Sequence, residues 1–176
     1  MRDILSEFKI LCIINSYVRF TFLIYILWRL MVKISGDFNK KKVLDILDKI
    51  FELEMAGVIR YTHYALMIFG SNRLPLVDFF RKQAKESLDH ADLVGEHITG
   101  LGGHPPINPI SIKESNKHKI NDILKETLQH EKNAIKIYYE LLNSVQDKVV
   151  YLEEYARQMI GQEELHSQEV EKMLKN

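Results

Sequence analysis

Glu163 and His166 stand three residues apart within VYLEEYARQMIGQEELHSQEVEKM, residues 150–173. On a helix that spacing sends both side chains from one face. The positions around them, Leu152, Ala156, Met159, Val170 and Met173, recur at steps of three and four and trace the inward stripe of a bundle helix. An uncompensated charge in such a stripe costs roughly several kcal/mol. A carboxylate and an imidazole placed there together are a metal-ligand pair, and Glu-x-x-His on an inward helical face is how some helix bundles hold paired cations. Taken alone the pair is weak evidence, since Glu and His at this spacing are common on solvated helices.

Three other stretches place matching groups. Glu54 occupies a mid-helix seat in the stripe Leu47, Ile50, Gly57, Tyr61, Tyr64, the plain alternative being a flanking pair with Arg60. Glu131 is the one charge in the stripe Leu124, Leu128, Ile135, Tyr138, Leu142. Glu86 and His90 lie four residues apart beside the apolar edge Val77, Phe80, Ala84, Ser87, Ala91, Val94, Ile98. A local π-bulge would turn Glu86 inward; the plain alternative leaves Glu86 exposed and His90 a satisfied core histidine. The spacings repeat: Glu54 to Glu86 and Glu131 to Glu163 are both 32 residues, and His90 and His166 follow Glu54 and Glu131 by 36 and 35. A duplicated helical hairpin gives such spacings and converges four glutamates and two histidines on one centre. Four carboxylates in a small core cannot all stay ionised alone, and two divalent cations cancel them. Oxygen-rich ligation with one imidazole per metal suits iron or manganese better than a closed structural zinc site. Tyr61 and Tyr138 each follow a glutamate by seven residues. Their plain role is packing with a satisfied hydroxyl; their functional role is to bond a ligand carboxylate or supply an electron.

The elements that must carry these residues are all helical. The first helix is expected from Asn39 to Ile68, capped by Asp37 or Asn39 and stopped by Gly70. After the turn SNRLP a second runs from Leu76 to Thr99 and stops at Gly100. Residues 101–117, LGGHPPINPISIKESNK, are irregular and far longer than an antiparallel neighbour needs. At about 3.3 Å per extended residue this stretch reaches roughly 50 Å, the length of a bundle. A third helix, Lys119 to Val145, joins the fourth through Gln146–Asp147. The fold class is therefore an all-α four-helix bundle of two hairpins joined by a long crossover.

The chain has 176 residues with 24 basic and 24 acidic side chains, so no nucleic-acid footprint is visible. Its single cysteine, Cys12, excludes a disulfide framework and a Cys-based metal site within the chain, and fits a reducing, cytoplasmic setting. Residues 1–36 form an apolar extension to a domain at 37–176. Arg19 and Arg29 interrupt its apolar run, each costing roughly 2.5–3.5 kcal/mol at a bilayer centre. Residues 10–32 are open to three readings: a membrane anchor or interfacial helix, an extra packed helix, or sequence upstream of a start at Met31.

From about residue 40 onward the chain resembles the ferritin superfamily, bacterioferritin-type proteins in particular, through ELEMAGVIRYTHYALM, ESLDHAD, LGGHPP and EELHSQEVEKML. The resemblance implies a ferritin-like di-iron bundle, with Glu54 the first-helix ligand, His90 the second-helix histidine, Glu131 a third-helix ligand suited to bridging both irons, and Glu163 with His166 the fourth-helix pair. The family's second-helix glutamate falls at Ser87 here, and Glu86 is the substitute. The haem-ligating methionine of bacterioferritins falls at Leu88, which implies no haem. Ten residues after His166 leave no length for the family's fifth helix, so a homo-oligomer of dimer size or larger is expected without a commitment to a cage. The implied activity is ferroxidase-like: two iron ions per chain, Fe(II) oxidised by O2 or peroxide, serving iron storage or detoxification. Two alternatives remain at this point: a di-iron hydroxylase or peroxidase of the same superfamily, and a non-catalytic helical interaction protein.

Overall fold

The computed structural model describes residues 38–107 and 112–175. Four helices make up the described chain: α1 (Lys40–Met67), α2 (Arg73–Gly100), α3 (Ile120–Val145) and α4 (Val150–Leu174). Helix α1 packs on α2, α3 on α4, and α1 on α3. The four-helix bundle expected from the stripes is the fold observed. The apolar extension, with Cys12 and the capping candidate Asp37, lies outside the described residues. No helix among the described residues is long and apolar enough to cross a membrane.

Local chemistry sets the ends. Asn39 caps α1, its Oδ1 accepting from the Lys42 amide at 3.0 Å. Gly70, at φ 100°, takes the left-handed turn that breaks α1 from α2. Arg73 then donates to the Ile68 carbonyl and stacks over the Phe69 ring at 5.7 Å, closing the hairpin. The second helix begins at Arg73, three residues before the expected Leu76. Pro75 had suggested a turn, but a proline within the first helical turn loses no intrahelical bond. Helix α2 is α-helical throughout, so the expected π-bulge near Glu86 is not present.

The two described ends of the crossover lie against α1. At its start a Cβ on Gly103 would meet Leu44 Cδ2 at 2.7 Å, and at its end Glu114 approaches His63 to 3.3 Å. The nineteen residue steps from Leu44 to His63 span about 28 Å of helix.

The core is in two parts. One cluster centres on Leu47, Ile50, Val94, Leu141, Leu152 and Met159; the other on Tyr61, Ile68, Phe80, Ile123, Leu124 and Val170. Between them lies a belt of buried polar groups: Glu54, Gln83, Ser87, Thr127, His130, Glu131, Glu163 and Ser167. Thr127 is satisfied by the Ile123 carbonyl at 2.9 Å, but three buried carboxylates in that belt demand a compensating chemistry.

Candidate metal centre

Each helix delivers one part of the centre. Glu54 of α1, Glu131 of α3 and Glu163 of α4 are 3–4% exposed. His90 of α2 places Nδ1 3.5 Å from Glu54 Oε1 and 3.3 Å from Glu163 Oε1. His166, one turn after Glu163, places Nδ1 3.6 Å from Glu163 Oε2. Two triads result, Glu54–His90–Glu163 and Glu131–Glu163–His166, each with ligand atoms within 4.8 Å of one another. Glu163 belongs to both. The shared carboxylate therefore comes from α4, where the family resemblance had pointed to Glu131.

The tyrosines cross between hairpins. Tyr138 of α3 donates to Glu54 Oε1 at 2.8 Å, and Tyr61 of α1 donates to Glu131 Oε1. Each tyrosine bonds the glutamate of the other helix, as an approximate two-fold relation between antiparallel α1 and α3 requires. The alternative of Glu54 paired with Arg60 is not what the structure holds.

Glu86 stands at the rim with its side chain 46% exposed. Gln83 Nε2 donates to it at 2.7 Å, and its Oε2 lies 3.6 Å from His166 Nε2. It joins neither triad. Ser87 is the buried α2 residue at that level, beside Gly57, where a Cβ would lie 2.6 Å from Ser87 Oγ and 3.1 Å from His130 Nε2. His130 and Gln83 also line the centre and were not singled out from the sequence. A second stripe one position over, Ile123, Thr127, His130, Ala134, Leu141 and Val145, is buried, with Ile137 partly so, and was the available signal for His130.

Electrostatics follow from burial and crowding. Burial and the Glu163 charge raise the Glu54 carboxyl, although His90 and Tyr138 oppose this. Burial and its bond with Glu163 hold Glu131 well above the ordinary carboxylate range. Burial also works against ionised Glu163, but His166, His90 and a proton on Glu131 outweigh it and lower the group. Burial disfavours the His90 imidazolium, yet Glu163 and Glu54 raise it to about 10. His166 is raised chiefly by Glu163. Burial and then Arg60 lower His130 to about 4, so it is neutral at pH 7. Without a metal, the raised proton affinities of His90, His166 and Glu131 offset the crowding of carboxylates. Each of those protons occupies a lone pair that a cation would take. Three carboxylates and two imidazoles form an oxygen-rich, open-sided donor set, which fits iron or manganese and does not fit a closed zinc site.

A family model for the ferritin-like domain matches residues 44–176. This chain belongs to the ferritin-like domain family. No curated protein matches it. Among solved structures, a ferritin-like diiron-carboxylate protein from Bacillus anthracis is similar at 25% identity and TM-score 0.74, covering 80% of this chain and 100% of that one. The dodecameric thioferritin of Bacteroides fragilis, a bacterioferritin-related protein, is similar at 24% identity and TM-score 0.75, covering 83% and 92%. A bacterioferritin from Desulfovibrio desulfuricans with a diiron site is similar at 20% identity and TM-score 0.69, covering 77% and 79%. The latter two likenesses are of fold. The chain thus shares its bundle with proteins described as diiron, and its own acidic and imidazole side chains meet at the waist of that bundle.

Proposed function

We propose that this ferritin-like protein binds two iron ions per chain and oxidises Fe(II) with O2 or peroxide, in the service of iron storage or detoxification. The observation that carries the reading is the pair of triads sharing Glu163. Glu54 and His90 would hold one cation, Glu131 and His166 the other, and the two oxygens of Glu163 would tie them together. Iron supplies the redox chemistry: each Fe(II) gives up one electron, and two electrons with two protons convert peroxide to water. The protein supplies position and charge. Tyr61 and Tyr138 hold Glu131 and Glu54 in place, and the carboxylates offset the charge gained when iron is oxidised. Proton release from Glu131 and the histidines accompanies cation binding.

The cavity at the centre favours this reading over a hydroxylase. It is small and walled by polar groups, among them Glu54, Gln83, Ser87, His130 and Glu163, which supports a small oxidant over an organic substrate. The near-complete ligand set argues against a purely structural bundle. Leu88, at the position of the haem-binding methionine, has no thioether and is 43% exposed, so haem forms no part of the reading. A homo-oligomer does, supported by the dodecamer named for the Bacteroides fragilis relative and by exposed apolar residues such as Leu66 (60%) and Leu74 (81%). A purified chain that runs as a monomer in light scattering, or shows a haem Soret band, contradicts those two parts.

The central test is oxygen or peroxide consumption on adding Fe(II) to metal-stripped protein. Glu163→Ala removes a ligand from both triads and should slow Fe(II) oxidation at least a hundredfold; Glu131→Ala removes one ligand from one triad and should abolish only the rapid phase. Wild-type rates in Glu163→Ala would refute the assignment.

A further inference from the structure

A second constellation of ligand-type side chains lies away from the waist. His63 of α1, Glu114 of the crossover and His118, just before α3, place one ligand atom each within 4.8 Å of one another. The same carboxylate oxygen, Glu114 Oε1, is 3.3 Å from His63 Nε2 and 3.2 Å from His118 Nε2. His63 follows Glu54 by nine residues on α1, about 13.5 Å along the helix axis. The constellation is therefore separate from the paired triads.

We propose that His63, Glu114 and His118 form a mononuclear site for a divalent first-row transition cation. Two of the three donor separations are those such an ion needs. Metal–N and metal–O bonds of about 2.1 Å in a tetrahedron set adjacent donors about 3.4 Å apart. The observed 3.2 and 3.3 Å lie close to that edge, and the third separation, between the two imidazoles, is within 4.8 Å. Two imidazoles and a carboxylate suit zinc, iron, nickel or copper and leave a fourth position open.

The surroundings are built to hold these groups. The side chains are 34–50% exposed, which leaves a path from solvent. They line a cavity of about 210 Å³, the room an exchangeable fourth ligand needs. The rings of His63 and His118 meet at 6.0 Å between centroids, and His63 rests against Tyr64 at 6.1 Å. Tyr64 in turn donates to Glu126 Oε2 at 2.8 Å, so a second carboxylate is fixed in the same cavity. Arg60, Lys113 and Lys117 also line it and oppose a cation. Glu114 and Glu126, in the same cavity, offset part of that charge, and three converging donors supply the bonds. The three donors come from two separate stretches of chain, so an ion there would pin the end of the crossover to α1. The proposal does not depend on the reading of the waist.

Zn(II), which has no redox chemistry, is the probe. Metal-stripped full-length protein is titrated by calorimetry as wild type, as His63→Ala/His118→Ala, as Glu114→Gln, and as Glu54→Gln/Glu163→Gln. The wild type should bind one more Zn(II) per chain than the His63→Ala/His118→Ala variant. That ion should persist in Glu54→Gln/Glu163→Gln, and Glu114→Gln should weaken it at least tenfold. Equal stoichiometry and affinities within twofold in wild type and His63→Ala/His118→Ala would overturn the site and leave a hydrogen-bonded clamp only. X-ray absorption at the zinc edge of Glu54→Gln/Glu163→Gln with His90→Ala and His166→Ala added, loaded with one Zn(II) per chain, gives a measurement that leaves His63 and His118 intact. Outer-shell scattering from two imidazoles supports the site, and its absence overturns it. Failure at the waist would instead show as unchanged binding in Glu54→Gln/Glu163→Gln, a separate outcome.

Discussion

Glu163 reaches both halves of the centre with its two oxygens, Oε1 toward His90 and Oε2 toward His166. No other single side chain among the described residues belongs to both triads at the waist. The departure at Ser87 makes that sharing more demanding, because a short hydroxyl stands where the family resemblance implies a second carboxylate. Glu86 is the nearest replacement, steadied by Gln83 and 3.6 Å from His166. If it completes the second triad, Glu86→Ala should weaken binding of one cation about tenfold, a loss of roughly 1.4 kcal/mol, and leave the other unchanged. Titration with Mn(II), followed by the loss of its free-ion electron paramagnetic resonance signal, reads both events; two unchanged affinities would remove Glu86 from the site. The sequence made Glu54, Glu131 and Glu163 visible because a charge interrupts an otherwise apolar stripe. It did not reveal His130 and Gln83, since a polar residue beside a stripe reads equally well as solvated.

At the scale of helices, two glycines separate propensity from packing. Gly161 in α4 has open space where a Cβ would go, whereas a Cβ on Gly57 in α1 would press on Ser87 and His130. Gly161→Ala should therefore stabilise by about 1 kcal/mol through helix propensity. Gly57→Ala should destabilise by about 1–3 kcal/mol, because overpacking outweighs the same gain. Ser87→Ala in the Gly57→Ala background should recover part of the loss by removing the 2.6 Å contact. Chemical denaturation of the four proteins checks all three signs. The helices themselves were legible because each carries its apolar and acidic seats at steps of three and four. The start of α2 was not, because Pro75 signals a turn and the first helical turn equally. The pairing of Tyr61 with Glu131 and Tyr138 with Glu54 was also hidden, since seven-residue spacings describe one helix and say nothing of which neighbour it faces.

For the whole molecule, protons and cations compete for the same waist. In the metal-free chain His90 is raised from 6.5 to about 10, so its contribution is complete below pH 6.5 and is lost as pH rises toward 10. Glu131 and Glu54 are raised above 4.5 and act in the same direction: a folded state that keeps their protons loses stability as pH rises through their folded values. Glu163 is lowered and acts oppositely, contributing above 4.5 and losing that contribution in acid. The metal-free protein should therefore weaken steadily from about pH 6.5 upward. A bound cation needs the groups that lose protons over that range, so its stabilisation should grow over the same interval. At a free cation concentration a hundredfold above Kd, binding adds about 2.7 kcal/mol. For a domain of this size that corresponds to roughly 5–10 °C in Tm. Melting curves with Mn(II) and with chelator, at fixed protein concentration between pH 6 and pH 9, should diverge as pH increases. In a His63→Ala/His118→Ala background, Glu54→Gln/Glu163→Gln should keep the two curves together at every pH, because ligands are then missing from both triads and from the site at the end of the crossover. Curves that converge with rising pH in the wild type would show that the buried carboxylates are held for the fold alone.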